Sequence, residues 1–331
     1  MWQLTNRSPF AASMAVFPNE DAVDTLYVVV KATFNIGKAF TLADEQLKPA
    51  VEDVYWIEPG TSSLKYASDI HLGKPATDII LIGHACALEQ KEVRELDVSL
   101  SVGQVSKRLR VFGERQWKDG KITAPTPFKT MALVYEKAYG GMHIVNGQID
   151  SAELRNPVGR GFAGTRKPEE MNGAPLPNLE DPNQLIREPT DNPTPACFGF
   201  CAPHWQPRAT FAGTYDEIWK KTRAPYLPTD FNKRFLNMAH TDLVYPGFLV
   251  GGEPVQMTSM HPSGTVQFDV PRVTLTTRIT LADKEEEQPP FHLETLLLEP
   301  NQMKVSLIWR AALTCDKQAL NIRHIDIGLA H

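Results

Sequence analysis

Four cysteines are too few to staple a chain of 331 residues, so a disulfide framework is excluded. The chain has no run of lysine or arginine and a net charge of −5, so no field draws it to nucleic acid or to an anionic lipid surface. No apolar stretch approaches the ~20 residues of a membrane-crossing helix. Hydrophobic residues make up 42% of the chain and charged residues 22%, enough apolar material to build a core and too much for a disordered chain. The opening residues, MWQLTNRSPFAASMAVFPNED, hold one basic side chain and a short apolar run that stops at Pro18. This differs from the layout of a secretory signal and predicts a cytoplasmic protein.

Signatures of chemistry are also scarce. There is no G-x-S-x-G, and Ser62 and Ser63 sit in a turn-like PGTSS stretch without an evident histidine partner. No H-x-x-x-H or H-E-x-x-H spacing occurs. Cys197 and Cys201 have C-x3-C spacing with His204 nearby, but no second pair follows, which suits loop thiols better than zinc. His240 and Asp242 flank Thr241 and suit a structural hydrogen bond as well as a ligand pair. NPVGRGF, at Asn156–Phe162, lacks both a leading strand and a following helix, so a tight turn with positive φ is expected in place of a phosphate cradle. No cofactor and no metal are expected. Glu180, Asp181, Asp216, Glu217, Asp230 and Glu253 lie among Trp205, Tyr215, Trp219 and Tyr226, a mixture that a glycosidase would need. Asp216 and Asp230 equally suit capping of turns or helix starts.

What the chain does have is strand signal. Leu26–Phe34, Asp78–Ala87, Leu96–Val102, Lys107–Phe112 and Phe128–Ala138 read as strands in the first part. Leu96–Val102 and Lys107–Phe112 alternate and enclose Gly103, which predicts a hairpin with one buried face. Strands return at Gly247–Met260, Thr265–Val270, Arg272–Leu281, Phe291–Leu298, Lys304–Leu313 and Asn321–Ile327, with Asp283–Gln288 as a solvated hairpin tip. No helix–strand alternation runs through the chain, so a doubly wound sheet is not expected. The predicted fold is mainly β, with antiparallel, sandwich-like sheets in an N-terminal region (1–138) and a C-terminal region (238–331). These bracket an ordered, loop-rich segment (139–237), and the whole can also be read as one continuous domain.

That middle segment is the most informative part of the sequence. LPNLEDP, WQPR, GTYDEIW and RAPYLPTDF follow one another between Leu176 and Phe231 with almost no hydrophobic period, and a short helix is expected around Tyr215–Lys221. Aromatic and arginine side chains held by proline and glycine are what protein interfaces use. Trp205, Arg208, Tyr215, Trp219, Tyr226 and Phe231, with Asp216 and Asp230 as polar contacts, are therefore the candidate partner-binding residues, and no catalytic residue is assigned. The bland alternative is a satellite core that ties the loops together.

These motifs, in this order, resemble a bacterial family catalogued as domain of unknown function 2169. The resemblance runs through VVVKATF (Val28–Phe34), KPATDIILIG (Lys74–Gly83), VFGERQW (Val111–Trp117), YEKAYGG (Tyr135–Gly141), NPVGRGF and the middle motifs. It continues in LPTDFNKRFLNMAHTD (Leu227–Asp242), GGEPVQM (Gly251–Met257), HPSG (His261–Gly264) and WRAAL (Trp309–Leu313). Leu88 departs from it, at a turn where proline is expected. The resemblance implies a cytoplasmic adaptor or chaperone that holds a type VI secretion effector or PAAR-like protein and helps load it on the VgrG spike. It carries no catalytic residue over. The alternatives are a carbohydrate-active hydrolase using a carboxylate pair, or a structural subunit retained in the spike.

Overall fold

A computed structural model describes residues 2–37, 39–282 and 286–330. Strands take 41% of the chain and helices 11%, in several mostly antiparallel sheets with no barrel, so the mainly β expectation holds. The principal strands are β1 (Gln3–Asn6), β2 (Ala11–Pro18), β3 (Asp24–Asn35), β4 (Asp78–Leu81), β5 (Glu95–Val102) and β6 (Val105–Phe112). After the loop-rich segment come β7 (Pro254–His261), β8 (Gly264–Asp269), β9 (Leu275–Leu281), β10 (His292–Glu299), β11 (Lys304–Thr314) and β12 (Ile322–Leu329).

The largest sheet runs β2-β3-β11-β10-β4, with Thr41–Leu42 paired to the end of β3; only β10 and β4 are parallel. β3 is buried from Thr25 to Phe34, which is why VVV appears there without alternation. A second sheet runs from Leu179–Glu180 through β6, β5 and β7 to β8, antiparallel throughout. The β5–β6 hairpin pairs Val102 with Val105 across two residues, and Gly103 has a φ of 54° at the first turn position, as a II′ turn requires. A third sheet places β1 parallel to β12, then β9, then Glu286–Glu287. Asp283, Lys284 and Glu285 of the expected hairpin tip lie outside the described residues; Glu286 and Glu287 pair back on β9.

Strands from both ends of the chain share these sheets. Val30 of β3 lies opposite Trp309 of β11, and Leu100 of β5 opposite Met257 of β7. One buried cluster holds residues of all three sheets. A run of aromatic contacts links the first two: Trp309 stacks on Phe10 (6.2 Å), Phe10 meets Phe34 (5.9 Å), Phe34 meets Phe40 (6.3 Å), and Phe40 meets Phe268 on β8 (5.3 Å). A smaller cluster of Trp117, Tyr139, Met171, Leu176 and Ile186 underlies part of the middle segment.

Three strand expectations are corrected. Gly247–Met260 is strand only from Pro254 onward, with Leu249 making an isolated bridge to Leu293 before it. Phe128–Ala138 is strand only at Thr130–Ala132 and then forms a 3₁₀ turn at Tyr135–Lys137; its apolar residues face the core without continuing a ladder. Asp78–Ala87 divides into β4 and His84–Cys86, separated at Ile82 and Gly83. Leu88 opens an exposed 3₁₀ turn in which Glu89 takes a φ of 53°.

One face of the largest sheet carries a buried ionic network with no sequence signature. Arg310 Nε donates to Glu294 Oε2 at 2.8 Å and Nη2 to the Asp69 carbonyl at 2.6 Å. Glu294 Oε1 accepts the Lys74 backbone N–H (2.8 Å), Lys74 Nζ pairs with Asp78 (2.7 Å), and Lys31 pairs with Asp69 (3.1 Å). Asp78 also accepts Asn237 Nδ2 and the Met238 N–H, so the network fastens the end of the loop-rich segment to the sheet.

Candidate functional site

The glycine motifs of the middle segment lock into each other. Tyr139–Gly140 pairs in parallel with Arg160–Gly161, and the fully buried Asn156 donates through Nδ2 to the Tyr135 and Tyr139 carbonyls (2.8 and 2.9 Å). A Cβ on Gly159 would sit 2.7 Å from the Ala138 carbonyl oxygen and 2.8 Å from Gly140 Cα. Gly159 is thus required by close backbone approach. The positive φ expected of a tight turn holds at Gly161 (92°).

This scaffold positions three 3₁₀ turns, Arg208–Phe211, Lys233–Leu236 and Thr241–Leu243, around a cavity of about 540 Å³. Tyr135, Cys201, Pro207, Phe211, Ala239, His240 and Val244 contribute to its wall, together with Arg155, Arg208 and Arg234. The first two turns brace one another: Arg208 lies over the Phe235 ring (5.0 Å), Arg234 lies over the Phe211 ring (4.3 Å), and the Asn232 N–H donates to the Phe211 carbonyl (3.0 Å). Arg208 is buried, and donates from Nε to the Phe235 carbonyl and from Nη1 to the Cys201 carbonyl, both at 2.7 Å. Burial draws its pKa down from the ordinary arginine value, but a guanidinium keeps its proton in proteins.

The tyrosine, cysteine and histidine of the wall are held neutral. Burial drives the Tyr135 hydroxyl well above its usual pKa and raises the Cys201 thiol, and the two meet at 3.1 Å. Burial, with Lys107 alongside, draws His240 down to about 4. Its Nδ1 accepts the Asp242 N–H (3.2 Å), and Lys107 Nζ donates to Asp242 Oδ2 (2.7 Å), so His240 and Asp242 form the structural pair that the spacing allowed.

The eight candidate partner-binding residues separate into three places. Trp205 is only 1% exposed, meets Tyr135 edge to face at 5.1 Å, and donates from Nε1 to His204 Nε2 (3.1 Å); it is core. Arg208 belongs to the cavity. The other six fall within residues 213–231, an excursion closed where Asp230 accepts the Thr214 N–H (2.9 Å) and hydroxyl (2.7 Å). Inside it, Asp216 caps the helix α1 (Glu217–Thr222) by accepting the Trp219 N–H (2.8 Å), as capping predicts. Trp219 packs on Tyr215 (4.7 Å) and donates to the Tyr226 carbonyl (2.8 Å), while Phe231 packs inward on Phe235 (5.9 Å). The outer surface shows Tyr215 at 53%, Ile218 at 71% and Tyr226 at 42% exposure. Ile218 was not among the expected residues, although its position in GTYDEIW, next to the predicted cap, was the available signal.

The carboxylates weighed for catalysis have structural partners. Glu180 is buried against Arg115, and Asp181 accepts the Asn183 N–H. Glu217 lies 3.7 Å from Lys220, and Glu253 accepts the Val250 and Gly251 N–H groups. Cys197 is buried with its thiol toward the Leu133 carbonyl. Among the described residues, no three His, Cys, Asp or Glu side chains converge to hold a metal ion. No described helix is long and apolar enough to cross a membrane.

No curated protein and no solved structure matches the chain. A family model does match, over residues 21–310, a span that takes in the whole second sheet, the cavity and the 213–231 excursion but leaves out β1, β2 and β12. The chain therefore belongs to the bacterial family described as "Uncharacterized protein conserved in bacteria (DUF2169)".

Proposed function

We propose that this protein is a cytoplasmic adaptor or chaperone of type VI secretion, which holds an effector or PAAR-like protein and assists its loading on the VgrG spike. The observation that supports this reading is the 213–231 excursion. It is braced by its own hydrogen bonds yet shows Tyr215, Ile218 and Tyr226 to solvent. A rigid apolar and aromatic projection suits a partner surface because little side-chain freedom is lost on docking. A client whose strand edges or apolar surface are exposed before assembly gains protection from such a cover. The buried groups lining the neighbouring cavity are held out of the protonation range used in acid–base catalysis near neutral pH, which favours a binding role.

The test is co-purification with a type VI effector or PAAR-like protein of the same bacterium, using Tyr215→Ala, Ile218→Asp and Tyr226→Ala together. These side chains lie outside the core, so the triple variant should keep the wild-type circular dichroism and lose the client. Full retention of the client by a folded triple variant would remove this surface from the proposal.

A further inference from the structure

The cavity between the Arg208–Phe211 and Thr241–Leu243 turns is lined by three arginines and by no aspartate or glutamate, in a chain whose net charge is −5. Arg155 is neutralised by a two-pronged pair with Glu153, at 2.7 and 2.6 Å. Arg208 and Arg234 form no ion pair among the described residues: Arg208 has two carbonyl partners, and Arg234 has only Asn232 Oδ1, at 3.3 Å. Asp78 and Asp53 act on Arg208 only at longer range, so its guanidinium has no carboxylate in contact with it. Arg208 lies over Phe235 and Arg234 over Phe211, contacts that restrict both guanidinium groups before any ligand arrives. Tyr135, Cys201 and His240 present neutral groups, and the nearby carboxylates Glu153 and Asp242 are taken up by Arg155 and Lys107. The remainder of the lining includes Pro195, Pro207, Phe211, Ala239 and Val244, and the volume falls in the range of small-ligand sites.

We infer that this cavity binds a monocarboxylate carried on an apolar body, with the carboxylate met by Arg208 and Arg234 and the body lying on Phe211, Pro207 and Val244. Arg208 Nη2, left over from the two carbonyl bonds, and the Arg234 guanidinium suit the two oxygens of one carboxylate, and the apolar wall gives a bare oxyanion no advantage. The carboxylate comes either from a free small acid or from the end of a peptide chain. The inference stands without the adaptor reading, since either source satisfies the same chemistry.

The test is calorimetric titration of the full chain with 3-phenylpropionate, its neutral amide and inorganic phosphate, and with acetyl-Ala-Phe as the free acid and as the amide. At least one of the two acids should bind at a single site with a Kd of about 1 mM or tighter. The matching amide should bind about tenfold more weakly or worse. Arg208→Gln should abolish the preference for acid over amide. Arg208 is buried, so Arg234→Ala, at an exposed position, is the second variant and should weaken the acid by about tenfold while leaving the amide unchanged. Tighter binding of the peptide acid would identify a chain end as the source, and tighter binding of phenylpropionate a free acid. No saturable binding of either acid, equal binding of acid and amide, phosphate binding as tight as the acids, or an unchanged Arg234→Ala would each overturn the assignment.

Discussion

Replacing Glu294 by leucine removes the only carboxylate paired with Arg310 among the described residues, on a face of the largest sheet where both side chains are almost wholly enclosed. Arg310 Nε then loses its 2.8 Å acceptor, Nη1 has no partner already, and Nη2 keeps only the Asp69 carbonyl as an oxygen acceptor. The Lys74 N–H loses its acceptor as well. Breaking a buried pair by removing one member costs about 3–5 kcal/mol, most of it the burden of the stranded charge. Glu294→Leu should lower the urea midpoint by that amount divided by the slope of the transition, read by circular dichroism and tryptophan fluorescence. Adding Arg310→Met takes the stranded charge away, so the double variant should be more stable than Glu294→Leu alone by about 2 kcal/mol or more. A Glu294→Leu protein within about 1 kcal/mol of wild type, or a double variant no better than the single, would refute the idea that Glu294 compensates a buried Arg310 charge.

Further outcomes follow from the cavity wall and its scaffold. Trp205→Ala should cost about 3–5 kcal/mol and reduce soluble yield, because it empties a core position against Tyr135; an unchanged unfolding midpoint would return Trp205 to the surface. His240 is held neutral down to about pH 4, whereas an unfolded histidine takes its proton near 6.5. Its contribution is therefore complete above pH 6.5 and is lost as the pH falls toward 4, by about 3 kcal/mol. His240→Gln should flatten that part of the urea-midpoint profile, and an identical profile would show that His240 is not the group responsible. Gly159→Ala should cost about 1–3 kcal/mol through overlap with backbone at Ala138 and Gly140, and an unaltered thermal melt would contradict the interlock.

Local pattern carried the strands whose burial is local in origin. The β5–β6 hairpin was legible because Val98, Leu100 and Val102 alternate with the half-buried Ser99 and Ser101, and β3 because VVV is covered on both faces. The pairing of β3 with β11 was not legible, since nothing near Val30 announces that Trp309 lies beside it. Phe128–Ala138 misled because its apolar residues serve the core and the cavity wall: a 3₁₀ turn can bury Tyr135 as well as a strand can. The same long-range dependence divided the site. WQPR and GTYDEIW look alike as aromatic loop sequence, but Tyr135 covers Trp205, whereas nothing covers Ile218 or Tyr215 to the same degree. The arginine cavity was hidden because Arg208 and Arg234 are adjacent only through each other's aromatic neighbours, Phe235 and Phe211.

The proposal that the chain holds a secretion client is tested most directly by co-expression with a type VI effector or PAAR-like protein of the same bacterium, with affinity purification and sizing of whatever is retained. The account predicts a stable stoichiometric complex in the cytoplasm, with the client insoluble when made alone and this chain left behind when the client leaves the cell. Absence of any complex with either protein, or recovery of this chain with the exported spike, would contradict it.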